Sequence, residues 1–469
     1  MSNLSPDLPS PISLMYVSSA VLLAILMALV LILSGDPRAP ILAVGGAGYA
    51  AIALYLVQRP LSALYVAVFL ALMPMGLRSG LVYDVAANSA LALALGAWLL
   101  SVIVQRQHIQ WNAVCVLMAL YLVWAVVTLL WAPDLILARK ELVAYASGFI
   151  VLLLISAEVK SIAAIDGLMR VLMLMGWMLI LAGLQAVFAG GYQLGERLQV
   201  LEMNENLFGV TLVLTLPGQI WPVLRSSGLT RAFHLVLSIF FILCTLGLVA
   251  LSGSRGSSIS LLLVLLAFFF YKPMRPFGIV GIILVVSLLA IAPLATDVLV
   301  RRFEEGEGGD LGGRVVLWYA SLQLVRDHLW SGVGIGNGPS ELYEYVAPLT
   351  SNYADRSSVP SHNPLLEVAA ETGVLGVVLY ASAVVLGIWQ FFRYRRRLHN
   401  YDELVAGYFP LVLGVSVGYF ASWLKGGGMA AHPTFFILLG LLSFPVSGPI
   451  ARASDIQVES RRIPLTSGL

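Results

Sequence analysis

One histidine stands at the mouth of a long apolar run. His362 lies in Ser361-His362-Asn363-Pro364, ahead of Leu365-Leu366-Glu367-Val368-Ala369-Ala370-Glu371-Thr372-Gly373. An imidazole ordinarily titrates at roughly 6.5, so in its neutral form it can take a proton from an attacking hydroxyl. Placed where a polar loop meets a membrane helix, it points to chemistry at the water–lipid boundary. Ser361 or Asn363 is expected to cap that helix, and Pro364 suits its first turn. Asn363, Glu367 and Glu371 then share one helical face, which is expected to look into a polar cavity and away from lipid. Three further stretches carry residue types unusual for an apolar chain. They are Gly195-Glu196-Arg197-Leu198 leading to Glu202-Met203-Asn204-Glu205-Asn206-Leu207-Phe208-Gly209, then Ser252-Gly253-Ser254-Arg255-Gly256-Ser257-Ser258, then Gly312-Gly313-Arg314 through Trp318 to Gly332-Val333-Gly334-Ile335-Gly336-Asn337.

The elements that must position these residues are membrane helices. The chain has 469 residues, 59% of them hydrophobic and 11% charged, with a mean hydropathy of +0.91. A soluble domain carries roughly 25% charged residues. The fold class is therefore all-α, a polytopic integral membrane helix bundle. Apolar runs near 13–34, 40–57, 61–76, 86–104, 112–131, 141–157, 168–189, 207–224, 233–251, 257–271, 277–294, 365–392, 404–424 and 433–447 predict about 12–14 transmembrane helices. The run 13–34 follows residues without Lys or Arg and is expected to be a retained first span. Runs 61–76 and 257–271 are short and expected to be tilted, re-entrant or half-buried.

Arg393 with Arg395, Arg396 and Arg397 forms the strongest basic cluster and is expected to be cytoplasmic. Lys272 with Arg275, Arg225 with Arg231, and Arg452, Arg461 and Arg462 then fall on the same side. The large loop 295–364 is placed outside, and it is expected to be partly helical. Val316, Leu317, Ala320, Leu324 and Trp330 recur at roughly helical spacing, which predicts an amphipathic helix lying on the membrane surface. The acidic run Glu304-Glu305-Gly306-Glu307 reads as a solvated turn, because it lacks calcium-loop spacing. Cys115 and Cys244 sit in apolar runs and read as small buried hydrophobes. Organisation is expected as N-terminal spans over 1–189, a core over 190–392 that includes the periplasmic loop 295–364, and C-terminal spans with a cytoplasmic tail over 393–469. A net charge of +2 leaves no basic surface able to track a nucleic-acid backbone.

Taken in order, the Arg197 loop with Asn-Leu-Phe-Gly, the Ser-Arg-Gly at 254–256, Gly-Arg with Gly-x-Gly-x-Gly-Asn, and His-Asn-x-Leu-Leu-Glu with Glu-Thr-Gly resemble the O-antigen ligase-like superfamily. That group includes O-antigen ligases, O-antigen and exopolysaccharide polymerases and protein O-oligosaccharyltransferases. The resemblance covers roughly 190–392. Asn204-Glu205-Asn206 stands where a Pro-Asn pair is expected. The resemblance implies an inverting, metal-independent glycosyltransferase of the bacterial inner membrane, with its active site facing the periplasm and with no cofactor. The donor would be a glycan on undecaprenyl diphosphate, and the acceptor lipid A-core or a growing glycan. His362 would be the base. Arg197 and Arg255 would stabilise negative charge on the departing diphosphate, because an arginine fork grips phosphate oxygens and stays protonated. Arg314, Asn206, Asn363, Glu367 and Glu371 would bind substrate. Ligation to lipid A-core is the leading expectation, polymerisation the alternative. A lipid-linked sugar transporter is a distant third: it would need charges deep in spans of both halves, whereas here they gather near one face and in one loop.

Overall fold

Helices form here wherever apolar residues run on and a small polar residue is at hand to start them. In the computed structural model the described residues are 52–73, 81–104, 111–189, 196–291, 314–350, 358–398, 403–424 and 430–443, with single positions at 106, 192, 193 and 426. The expected span 13–34, most of 40–57, the loop segment 295–313 with its acidic run, and Arg452, Arg461 and Arg462 lie outside them. Among the described residues there are fifteen α-helices and no strand. They are α1 (Pro60–Ala71), α2 (Leu81–Val104), α3 (Ala113–Val127), α4 (Leu135–Glu158), α5 (Ile162–Phe188), α6 (Glu205–Leu214), α7 (Leu216–Arg225) and α8 (Gly228–Leu251). After these come α9 (Arg255–Ala267), α10 (Arg275–Ile291), α11 (Arg314–Asp327), α12 (Gly338–Val346), α13 (Pro364–Leu398), α14 (Glu403–Trp423) and α15 (Pro433–Leu442). Asn112, Asp134, Ser161, Asn204 and Ser254 each cap the helix that follows by accepting a backbone N–H.

Among the described residues seven stretches are long and apolar enough to cross a membrane, and four shorter apolar helices accompany them. The chain is an all-α polytopic membrane protein. The run expected as one span over 207–224 is two helices that meet at Thr215. Pro217 and Pro222 remove backbone donors from α7, and the Thr215 hydroxyl turns back onto the Leu212 carbonyl at 2.7 Å. The short runs near 61–76 and 257–271 form the short helices α1 and α9. By contact the chain divides into two units, residues 1–67 with 85–109, and 68–84 with 110–469. The smaller unit holds most of α1 and α2. The larger holds α3 to α15 and every residue expected to do chemistry.

Pairings fix which helix ends lie together. Trp124 on α3 donates to the Thr372 carbonyl of α13 at 2.7 Å, while Gly387 of α13 faces Val114, so these two run antiparallel. The start of α9 meets the end of α14 through Gly256 and Ser422, and Ser260 binds the Gly418 carbonyl. The stack of Trp423 on Tyr380 and on Phe435 joins α14 to α13 and α15. The starts of α6, α9, α13 and α15 and the ends of α3, α8 and α14 therefore gather at one end of this unit. Basic residues gather at the other. There Arg225 pairs with Asp166 at 3.0 Å, Arg275 donates to the Phe269 carbonyl at 3.1 Å, and Arg393 lies over Trp389.

The long loop carries a small lobe with its own core of Leu317, Ala320, Leu324, Val333, Leu342, Val346, Val359 and Ala370. This corrects the expected role of one face of α11. Leu317, Ala320 and Leu324, expected against the bilayer, are buried inside the lobe, because α12 and the first turns of α13 supply a drier partner for them. The lobe is stitched to α13 by backbone. Val333 N–H donates to Ala370 O at 2.9 Å, Gly334 N–H to Glu371 O at 3.0 Å, and Val374 N–H to Leu329 O at 2.8 Å. Two glycines permit this approach. Gly373 has φ +67° and ψ −169°, a region essentially closed to side chains, and a Cβ there would meet the Trp330 carbonyl. A Cβ on Gly332, at φ +64°, would strike the backbone of Glu371. Gly373 thereby separates a short arm, 364–372, from the long span that follows it.

Candidate active site

One of the expected cations is held in a polar network, and a second stands next to it. Arg197 precedes a loop whose Leu201 and Glu202 have φ of +50° and +56°. That double left-handed step turns the chain so that Asn204 caps α6 and Glu205 faces back. Arg197 Nη1 lies 3.3 Å from Glu205 Oε2, Arg197 Nε donates to the Ser252 carbonyl at 3.2 Å, and Nη2 reaches Asn206 Oδ1 at 3.4 Å. Gln199 donates to the other Glu205 oxygen at 3.0 Å. The Ser254 hydroxyl donates to Asn206 Oδ1 at 2.8 Å and caps α9 by accepting from Ser257 N–H. Gly253, at φ +59°, makes the turn into that cap. The residue after the cap is Arg255, the first of α9. Its guanidinium makes no hydrogen bond or ion pair with another described residue and is only half-buried. Arg197 is thus a cation with its charge shared, whereas Arg255 stands open beside the N–H groups of a helix start.

His362 sits on the second part. Its φ is +53°, a left-handed conformation that non-glycine residues rarely adopt. Among the described residues four non-glycines have positive φ: Arg106, Leu201, Glu202 and His362. Three of those four lie in the two loops that carry Arg197 and the histidine. Such strain concentrates at functional sites. Asn363, not Ser361, caps α13: its Oδ1 accepts from Leu365 N–H at 3.0 Å and Leu366 N–H at 3.2 Å. Ser361 instead braces the turn, bonding Asn363 N–H at 3.2 Å and Asn363 O at 3.0 Å.

The acidic residues of this arm are turned inward. Glu367 is buried, and Glu371 is 2% exposed. The Glu371 carboxylate accepts the backbone N–H groups of Gly336 and Gly338, so it clasps the Gly-x-Gly-x-Gly-Asn loop to the helix. The final Asn337 of that loop, 1% exposed, completes the clasp from the other side. Its Oδ1 accepts from Asp134 N–H at 2.9 Å and its Nδ2 donates to Asp134 O at 3.3 Å and Ile335 O at 3.0 Å. The glycines are needed because a Cβ on Gly336 would press on Leu137 O and Glu141. Arg314 opens α11. Asn337→Ala removes three hydrogen bonds to the Asp134 and Ile335 backbone and leaves the buried Ile335 carbonyl without its partner, a cost of about 1–3 kcal/mol. The lobe should then loosen, and limited proteolysis should cut 314–346 faster than in the parent while the transmembrane core survives.

Residues whose partners lie elsewhere along the chain complete the site. Glu205 fixes Arg197, Ser254 and Ser257 tie α9 to Asn206, and Asp134 receives Asn337. His432 caps α15, with Nδ1 facing Thr434 N–H at 3.4 Å, and shares a small cavity with Met203 and Leu207. That cavity lies beside the Asn204–Asn206 turn.

Helix bundle, strained polar loops and an open arginine at one end define a polytopic membrane protein with a polar site built on helix termini. Sequence comparison narrows the class. Residues 240–381 match the O-antigen ligase family model, a stretch that includes Arg255, Arg314, the glycine loop, His362, Glu367 and Glu371. The chain is also 23% identical over 334 residues to the teichuronic acid biosynthesis protein TuaE of Bacillus subtilis (strain 168), covering 64% of this chain and 66% of that protein, just under two thirds of either. The likeness to the O-antigen ligase family read from the motifs therefore holds over the segment that carries most of them.

Proposed function

We propose that the protein transfers a glycan from undecaprenyl diphosphate to an acceptor hydroxyl, and that O-antigen ligation to lipid A-core is the reaction. The observation that carries this reading is the open guanidinium of Arg255 at the start of α9, next to the Arg197–Asn206–Ser254 network and at the same end of the unit as His362. The diphosphate of the carrier would dock on Arg255 and the α9 N–H groups. As the glycosidic bond breaks, the charge that builds on the leaving oxygen meets cations already in place. Arg197 sets the position of Asn206, whose exposed amide nitrogen is left to donate to substrate. His362 would take the proton of the attacking hydroxyl. Attack opposite the leaving diphosphate inverts the anomeric carbon. Asn363 holds the histidine turn, Glu367 and Glu371 hold the arm under the lobe, and Arg314 would meet the acceptor glycan.

The basic end containing Arg225, Arg275 and Arg393 supports a cytoplasmic placement for that end, so the site would face the periplasm from the inner membrane. A second reading, polymerisation on the same carrier, is favoured by a relative named for teichuronic acid biosynthesis. Purified protein in vesicles, given a carrier-diphosphate glycan, is expected to move the glycan to lipid A-core. Transfer only to a second carrier-linked glycan would establish the polymerase instead, and transfer to neither would overturn the proposal.

A further inference from the structure

The lobe buries one face of α11 and leaves the other bare. That second face reads Val315, Tyr319, Leu322 and Arg326, at spacings of three and four that align along one side of a helix, and Leu329 and Trp330 follow in the turn after it. Leu322 is 56% exposed and Trp330 76%. A soluble lobe would have little reason to present such a row to water. The row is also not isolated. Where it ends, Leu329 O accepts from Val374 N–H at 2.8 Å. At that point the outward apolar stripe of α13 begins, through Leu375, Val378, Val385 and Trp389, all exposed. α13 is one of the spans, so its outward stripe faces lipid. The end of α3, tied to α13 at Thr372, likewise finishes in an exposed Leu130, at 84%, and Trp131. Tryptophans at the ends of lipid-facing stripes mark the interfacial layer of a bilayer.

We propose that the outer face of α11 lies on the lipid surface, in the headgroup layer of the leaflet at the His362 end, and tethers the lobe to the bilayer. Charge agrees with an anionic lipid surface as the occupant. Arg326 is exposed within the row, where its guanidinium can meet headgroup phosphates while Tyr319, Leu322 and Trp330 enter the acyl boundary. Helix and stripe are continuous through the Leu329–Val374 bond, so one lipid surface can meet both. One consequence is that the arm bearing His362 is held at headgroup depth, where a lipid-carried diphosphate resides.

The test uses the full chain with Cys115→Ala and Cys244→Ala, both thiols being free, reconstituted in vesicles of phosphatidylethanolamine and phosphatidylglycerol. Nitroxide labels are placed at Leu322→Cys, at Val315→Cys as a second site, and at Glu344→Cys on exposed α12 as the aqueous reference. These three side chains lie outside the lobe core, so the fold is not at stake. Expected is a label at 322 and 315 relaxed more by oxygen than by a water-soluble nickel chelate, at a depth of about 5–10 Å below the phosphates, with the reverse order at 344. Chelate access at 322 and 315 equal to that at 344 would overturn the proposal. So would shielding of both sites from oxygen and chelate alike, which would mean that protein covers the face.

Discussion

His362→Ala is expected to abolish glycan transfer while the protein accumulates in the membrane at its usual level. Loss of a positioned general base costs about 10²–10⁴-fold in rate, and few acceptor hydroxyls ionise at neutral pH without one. The helix that follows does not depend on the imidazole: Asn363 supplies the cap and Ser361 braces the turn. Alanine is poorly suited to φ +53°, however, so a fall in activity could come from the backbone alone. His362→Asn separates the two causes, because asparagine tolerates the left-handed region but lacks a base of suitable strength. Product formation in a reconstituted assay, normalised to membrane-bound protein, should be lost in both variants. Wild-type turnover by His362→Asn would refute the base assignment.

Much of this arrangement can be read from residue order, and the parts that cannot share a physical reason. Apolar runs of span length become helices because a bilayer leaves the backbone no other way to satisfy its N–H and C=O groups. Ser254, Asn204 and Asn363 announce helix starts, since a short polar side chain next to an apolar run has few other uses there. The site is legible where one loop does one job, as at Ser254-Arg255-Gly256. It is illegible where a partner lies far along the chain. Asn337 and Asp134 are 203 positions apart, and nothing local in either announces the other. Glu205 has no evident partner in the sequence; the double left-handed step at Leu201 and Glu202 swings it onto Arg197. α11 fails differently. Its apolar residues fall on two faces, Leu317–Ala320–Leu324 and Val315–Tyr319–Leu322, and periodicity alone does not say which face meets the lobe. Glu371 reads as a cavity carboxylate from its helical face, yet its oxygens meet the glycine loop because glycines at 336 and 338 bring backbone donors within reach. The break at Thr215 is written in Pro217 and Pro222, but continuous hydropathy masks it.

Arg255→Lys is expected to remove about 10²–10³-fold of the transfer rate, although the charge is conserved. Lysine delivers a point charge on a flexible stem, whereas the guanidinium presents two parallel donors that match a pair of phosphate oxygens. The surroundings of Arg255 leave no means of compensation. Ser254 is committed to the cap and to Asn206, Gly256 lies against Ser422, and Arg197 is already engaged by Glu205, Ser252 and Asn206. A cation that meets the diphosphate most strongly as the bond breaks should show its loss in kcat more than in the KM for the carrier-linked donor. Arg197→Lys should behave differently. Glu205 would still hold the ammonium near its place, while Asn206 and the Ser252 carbonyl lose their fork, so its effect should be smaller and divided between kcat and KM. Steady-state rates over a range of donor concentrations distinguish the two arginines. Wild-type turnover by Arg255→Lys would make this residue a structural anchor at the start of α9 and would leave the leaving-group charge to Arg197 alone, a role its ion pair with Glu205 suits poorly.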